Sequence, residues 1–294
     1  MTYSRFHACF FKALLILAFG FSGTIAAQDQ TMPLDTHSWS SDKIADGVYL
    51  ESYHGSDLFS STQSINVLRT YMTHANMNLK FTWSDSALVK TSVFAEKNGA
   101  LAAVNGSFFD MQSGGSVVYF RVDDETLAKG AVDRRLYSEN GGVGIHDDGS
   151  VYIKARPKDG WLSADDSTLL SSGPLLILDG KIRGFNTDPF NQNRHPRTAV
   201  GITDDNQLML ITVDGRSSEA HGMSIPELAE FMESLGAVSA LNLDGGGSTA
   251  MWVQGRGLVS YPSDNRRFDH EGERGVANAL LLVPANRDFG VFDD

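Results

Sequence analysis

The sequence predicts an α+β (mixed α/β) fold, a single domain with a central mixed β-sheet, a C-terminal βαβ unit and several hairpins. Three observations carry this. Short apolar or alternating runs recur between turn dipeptides along most of the chain, the pattern of a sheet-rich protein. Glycine is plentiful at 29 residues and proline scarce at 8, which suits many tight turns. Near the C-terminus, one stretch reads strand, helix, strand. At 294 residues, with 41% hydrophobic and 20% charged side chains, the chain has the composition of an ordinary globular protein.

Residues 1–27 read as a secretory signal peptide: Arg5 and Lys12 precede a short apolar core over 13–21, and the small residues Thr24, Ala26 and Ala27 follow. The core is too short to span a bilayer comfortably. A polar lead-in over 28–44 is expected to be flexible. The domain proper is placed at 45–285 and a tail at 286–294.

Within the domain, strands are expected at 48–53 and 65–72. A helix is expected over 86–98, with Leu88, Val89, Val93 and Phe94 at helical spacing and Asn98-Gly99 as its stop. A short buried strand at 101–104 leads into Asn105-Gly106-Ser107-Phe108-Phe109-Asp110. Over 117–182, Asn140-Gly141-Gly142, Asp148-Gly149 and Asp179-Gly180 are hairpin turn signals.

The strand 208–213 ends at Asp214-Gly215-Arg216. Ser224-Ile225-Pro226-Glu227 is a capping box. The helix it opens presents Leu228, Phe231, Met232 and Leu235 on one face and stops at Gly236. A buried strand at 240–243 completes the βαβ unit, whose strands should run parallel. Asp214 and Asp244 then sit at the carboxyl ends of two parallel strands, where ligands bind in open α/β sheets.

The only cysteine, Cys9, lies in the signal segment, so the mature chain has no thiol or disulfide chemistry. Loss of Arg5 and Lys12, with no acidic residue before position 28, lowers the formal charge of −12 by two, to −14. Such a surface repels nucleic acid and anionic membranes, and no stable membrane insertion is expected once the signal is cleaved. The eight histidines are scattered without zinc-ligand spacing. Asp123-Asp124 and Asp204-Asp205 are carboxylate pairs of the kind that bind Ca²⁺ or Mg²⁺, but nothing requires a cofactor. No nucleophile elbow or P-loop is present.

The most informative segment is Asn242-Leu243-Asp244-Gly245-Gly246-Gly247-Ser248-Thr249. Three ordered glycines need either positive φ or the close approach of something to the backbone. One reading is a hairpin turn with Ala250 to Val253 as its return strand. The other is a loop whose successive amides bind an anion. Arg194-His195-Pro196-Arg197-Thr198 is a basic cluster in an acidic protein, and Arg216 adds a guanidinium beside Asp214.

Arg197-Thr198-Ala199-Val200-Gly201, Val213-Asp214-Gly215-Arg216, the glycine motif, Tyr261-Pro262-Ser263-Asp264, and Arg274 with the closing run 276–283 resemble the phosphodiester glycosidase domain. That domain typifies the N-acetylglucosamine-1-phosphodiester α-N-acetylglucosaminidases. Asn105-Gly106 and Gly173-Pro174 fit its earlier motifs, and Ser107 departs from it where a second glycine is common. The resemblance covers about residues 45–285.

It implies hydrolysis of the C1–O bond of a glycosyl phosphodiester. Asp214 and Asp244 would take the carboxylate roles, with Glu273 as a reserve acid. Arg197, Arg274 and Arg216 would hold phosphate, supported by Gly245, Gly246, Gly247 and Ser248, and Asn105 would bond the sugar. A glycosidase on unphosphorylated polysaccharide and a non-catalytic polysaccharide-binding envelope protein are the alternatives.

Overall fold

The computed structural model describes residues 39–72, 76–130 and 139–285. The signal segment and the C-terminal tail lie outside these residues.

The largest element is an eight-stranded sheet. One flank is formed by β1 (Trp39–Ala45), β2 (Val48–Gly55) and β3 (Gln63–Tyr71). The other five strands are β12 (Leu175–Leu178), β13 (Lys181–Ile182), β14 (Arg197–Thr203), β15 (Gln207–Val213) and β16 (Ala237–Asn242). Their order is β1-β2-β3-β15-β14-β16-β12-β13. β1 begins at Trp39, so the end of the expected lead-in is sheet.

Three smaller sheets complete the fold. β7 (Tyr119–Val122), β8 (Glu125–Lys129), β9 (Gly141–Ile145), β10 (Val151–Ala155) and β11 (Thr168–Ser172) form one, ordered β10-β9-β11-β7-β8. β4 (Met77–Trp83), β6 (Ala102–Asn105), β17 (Met251–Val253), β18 (Gly257–Leu258) and β20 (Asn278–Pro284) form another, ordered β18-β17-β6-β20-β4. β5 (Val89–Lys90) pairs with β19 (Gly275–Val276). Among the described residues the α-helices are α1 (Thr91–Lys97), the single turn α2 (Pro189–Gln192) and α3 (Ile225–Ser234).

Every neighbouring pair in these sheets is antiparallel, which corrects the expected mixed sheet. The βαβ unit explains the difference. β15 and β16 both run antiparallel to β14, so they point the same way, but the hairpin partner β14 sits between them. The expected rim survives: residues 214 and 244 leave the sheet from the same edge, on either side of the start of β14.

The capping box is formed, with Ser224 Oγ accepting from Glu227 N and the Glu227 carboxylate from Ser224 N at 2.9 Å. Leu228, Phe231, Met232 and Leu235 pack with Ile65, Val67, Ile211 and Val213 on one face of the large sheet. The opposite face, through Leu50, Leu68, Val200, Leu210 and Leu241, packs against Phe120, Val143 and Leu170 of one small sheet and Val104, Met251 and Leu280 of the other.

Two other expectations are corrected. Helix 86–98 contracts to α1, because Val89 and Lys90 pair with Gly275 and Val276 and a cross-chain ladder overrides helical spacing. Asn140-Gly141-Gly142 is a strand start rather than a turn. A Cβ at Gly141 would lie 2.7 Å from Leu241 Cδ1, and one at Gly142 2.9 Å from Trp161 Cη2. Asp148-Gly149 and Asp179-Gly180 do turn hairpins, the latter with both residues at positive φ.

On the inner face of the large sheet, the row Leu50–Leu68–Leu210–Val200 is apolar, and the row one step nearer the rim is polar. Register pairs Ser40 with Ser52, Ser52 with Asn66, Asn66 with Thr212 and Thr212 with Thr198. Thr198 Oγ1 then donates to Asn105 Oδ1 of β6 at 2.7 Å. This polar row across five strands marks where the core ends and the rim begins.

Candidate active site

The glycine loop is not a hairpin. It carries the chain from β16 in the large sheet to β17, which pairs with β6 and β18 in another sheet. Each glycine has its own reason. A Cβ on Gly245 would lie 2.6 Å from the Pro196 carbonyl oxygen. Gly246 has φ +63, and a Cβ there would lie 2.8 Å from Arg216 Nη2. A Cβ on Gly247 would overlap Asp264 Oδ1 and Arg274 Nη2. Backbone, one guanidinium and one ion pair thus each press on the loop where a side chain would stand.

The loop is bolted down around Asp244. Its amide donates to Gly106 O at 3.0 Å, and its carbonyl accepts from Asn105 Nδ2 at 2.7 Å. Asn105 Oδ1 accepts from Thr198 Oγ1 and from Ala250 N at 3.1 Å. Asn105, expected to touch sugar, is fully buried and engaged at both ends of its amide, so it supports the loop. Of the three glycine amides, Gly246 N donates to Pro196 O at 2.8 Å, so the triplet does not present three free donors.

Residue 244 as a whole is partly exposed. Burial pushes its carboxyl up to about 6, against the pull of the Ser248 hydroxyl, Arg274, the Gly245 amide and Arg216. Arg216 is exposed, at φ +65, and makes no ion pair among the described residues. Arg274 is gripped by Asp264, Nε to Oδ2 at 2.6 Å and Nη2 to Oδ1 at 2.7 Å, the bidentate fork that fixes a guanidinium plane.

Asp214 is at the same edge in a different setting. It is 0% exposed, accepts from Ser64 Oγ at 2.6 Å and from Tyr261 N at 2.8 Å, and is also pushed up to about 6 by burial. Each oxygen has a protein donor, and the effect is to tie residue 261 onto β3. Asp214 is therefore sealed by its own donors, whereas residue 244 keeps partial exposure.

The remaining residues fall elsewhere. Arg197 is 1% exposed, with Nε on Met223 O at 2.9 Å and Nη2 on Phe190 O at 2.7 Å and Asn193 O at 3.1 Å. Its guanidinium lies 4.9 Å from the Phe190 ring centre, and burial pulls it down to about 10. It braces the start of β14. Glu273 accepts Ser92 N at 2.8 Å and Ser92 Oγ at 2.6 Å, which caps the first turn of α1. Asp264, Ser64 and Tyr261 were not singled out as site residues, and their roles exist only in three dimensions.

His195, half-buried beside Arg216 and Arg197, is pulled below the usual imidazole range by burial and then by those two cations. Among the described residues no three His, Cys, Asp or Glu side chains converge to hold a metal ion. Asp123 and Asp124 are hairpin turn residues at positive φ, and Asp205 accepts from the Thr203 and Tyr71 hydroxyls.

Residues 98–283 match the family described as phosphodiester glycosidase. The chain belongs to that family. N-acetylglucosamine-1-phosphodiester alpha-N-acetylglucosaminidase of Mus musculus is 30% identical over 188 residues, 57% of this chain and 34% of its own length. The Homo sapiens protein of that name is 33% identical over 184 residues, 55% of this chain and 33% of its own. The chain thus spans about a third of these relatives.

Among solved structures, the catalytic domain of the zebrafish protein of that name, auto-inhibited by its pro-peptide, aligns with TM-score 0.63 at 21% identity, covering 84% of this chain and 83% of that one. A putative exported protein from Burkholderia pseudomallei aligns at 0.59 and 16%, covering 84% and 96%. At these identities the two structures establish the fold.

Proposed function

We propose that this phosphodiester glycosidase hydrolyses the sugar C1–O bond of a glycosyl phosphodiester in envelope or extracellular glycoconjugates, releasing free sugar and a phosphate monoester. The observation that carries the reading is the meeting at one glycine loop of Asp244, a partly exposed residue, and Arg216, an exposed guanidinium that makes no ion pair among the described residues. The export expected from residues 1–27, and the likeness to a putative exported protein, support action outside the cytoplasm.

In this reading Asp244 faces the anomeric carbon and meets the positive charge that develops there as the C1–O bond breaks. Phosphate is already a good leaving group, so little is demanded of a general acid. Arg216 supplies charge-assisted hydrogen bonds to the departing phosphate. Arg274, its plane fixed by Asp264, favours the ionised carboxylate of Asp244 against the opposing effect of burial. Asn105 and Pro196 hold the loop, and Asp214 anchors the neighbouring segment at Tyr261.

The test is direct. Incubated with the methyl phosphodiester of N-acetylglucosamine 1-phosphate, the protein is expected to yield N-acetylglucosamine and methyl phosphate by NMR. Cleavage confined to neutral or uronate-containing oligosaccharides would overturn the assignment. With Asp244 required as the anion and its carboxyl at about 6, kcat/KM is expected to fall tenfold per pH unit below about 6. An acid limb near the ordinary carboxylate value would remove Asp244 from that role.

Gly247→Ala is expected to force the Asp264–Arg274 pair apart and lower kcat/KM by at least about tenfold. Steady-state kinetics beside a melting curve separate that effect from unfolding, and wild-type kinetics in this variant would show that the pair does not matter.

A further inference from the structure

A cavity of about 630 Å³ lies along the same rim, between β1–β3 of the large sheet and the segment running from β18 to His270. Its volume is in the range of small-molecule sites, about 300–1,000 Å³. Ser64 and Tyr261 are part of its lining, and the Ser64 hydroxyl and the Tyr261 backbone N–H clamp Asp214. The Asp214 clamp thus adjoins this cavity through Ser64 and Tyr261. No role in the proposed reaction accounts for the cavity.

The chemistry of the lining is specific. Its charged groups cancel: Arg256 Nη1 and Asp42 Oδ2 pair at 2.8 Å, both still partly exposed at 41% and 51%. On the floor, Ser52 Oγ donates to Asn66 Oδ1 at 2.8 Å and Asn66 Nδ2 donates to Val259 O at 3.2 Å. His270 Nδ1 lies 2.7 Å from the Ser260 carbonyl, which can only accept, so Nδ1 carries the proton and donates there. His54 is exposed on the opposite side. Both faces of the Tyr261 ring are covered, by Phe268 at 3.9 Å and His270 at 4.3 Å between ring centres. The Tyr261 ring therefore presents no open face to a ligand.

The lining offers donors and acceptors side by side, its Arg256 and Asp42 charges paired, and the part-exposed Trp39 and Leu258 supply a small apolar surface. Hydroxyl groups, which donate and accept at once, satisfy such a wall, and a pyranose ring adds a C–H face for Trp39 and Leu258. An anion would meet the Asp42 carboxylate, and a lipid chain would leave the polar floor unpaired.

We propose that this cavity is a second carbohydrate site, taking a neutral sugar residue of the glycan that carries the phosphodiester. The assignment rests on the reading of the protein as a carbohydrate-active enzyme, and it makes the natural substrate an oligosaccharide or polymer in preference to a lone sugar diester.

Chitotriose, maltotriose and cellotriose are the probes, titrated calorimetrically into the full chain with inorganic phosphate as control. One of the three is expected to bind with unit stoichiometry. Arg256→Ala and His54→Ala should each weaken it at least about tenfold, and Ser40→Trp, which fills the cavity from an exposed strand position, should abolish it with an unchanged melting curve. Absence of binding by all three at millimolar concentration, or binding unaltered in all three variants, overturns the proposal. Hydrolysis of the methyl phosphodiester is scored separately. A protein that binds a trisaccharide in the cavity yet cleaves no diester retains this site and loses the proposed reaction, and the reverse outcome removes this site alone.

Discussion

Asp244→Asn is expected to lower kcat by about 10³-fold or more, the scale for loss of a reacting carboxylate, while the protein becomes no less stable. The amide is isosteric, so the loop's backbone bonds to Gly106 and Asn105 are retained. The sign of the stability change follows from the carboxyl's raised value. With about 6 in the folded chain and an ordinary value of 3.8, folding disfavours the anion. Any stability linked to this group is fully present below about pH 4 and is lost as pH rises through about 6. The Asn variant carries no such burden, so at pH 8 it should melt at or above the wild type, and the difference should close as pH falls from 6 to 4. Paired melting curves at pH 4 and pH 8, beside a turnover assay, check both halves. Near-wild-type turnover would take Asp244 out of the reaction.

Much of this geometry was legible in the amino-acid sequence because local chemistry and fold agree there. The Ser224 capping box, the apolar stripe of α3, the Asp179-Gly180 hairpin and the strands of β15 and β16 follow from spacing and turn preferences alone. The shared rim of residues 214 and 244 also followed, since two strands joined through one helix point the same way. Strand adjacency did not follow. No local signal says that β14, the hairpin partner of β15, inserts between the two strands, or that Val89 and Lys90 leave a helical pattern to pair with Gly275 and Val276.

The site was half legible for the same kind of reason. The glycine triplet announces that something crowds the backbone, but three different neighbours crowd it, and they come from residues 196, 216, 264 and 274. Charged residue types in a suggestive order say nothing about burial. Arg197 looks like a phosphate ligand in sequence and proves to be a sealed brace. Glu273 looks like a spare acid and caps α1 through Ser92. The polar row from Ser40 to Thr198 is visible only once register is known, because its five residues lie on five strands.

Asp214 offers the sharpest separation of support from chemistry. Asp214→Ala is expected to leave two buried donors, Ser64 Oγ and Tyr261 N, without acceptors, at a cost of roughly 3 kcal/mol, or a fall in Tm of roughly 6–12 °C. Asp214→Asn keeps an acceptor for the fixed Tyr261 N–H, and its amide group can donate to Ser64 Oγ, whose hydroxyl is free to rotate. That variant should fold, melt near the wild type and retain turnover within about tenfold. It should also gain relative stability as pH rises from 4 through 6, because the carboxyl it replaces is held up to about 6 by burial. A residue that attacks or protonates the substrate cannot show this pattern, since the amide lacks both the charge and the acidic proton. A loss of turnover in Asp214→Asn as deep as that in Asp244→Asn would place Asp214 against the substrate and require the Ser64–Tyr261 clamp to open during the reaction.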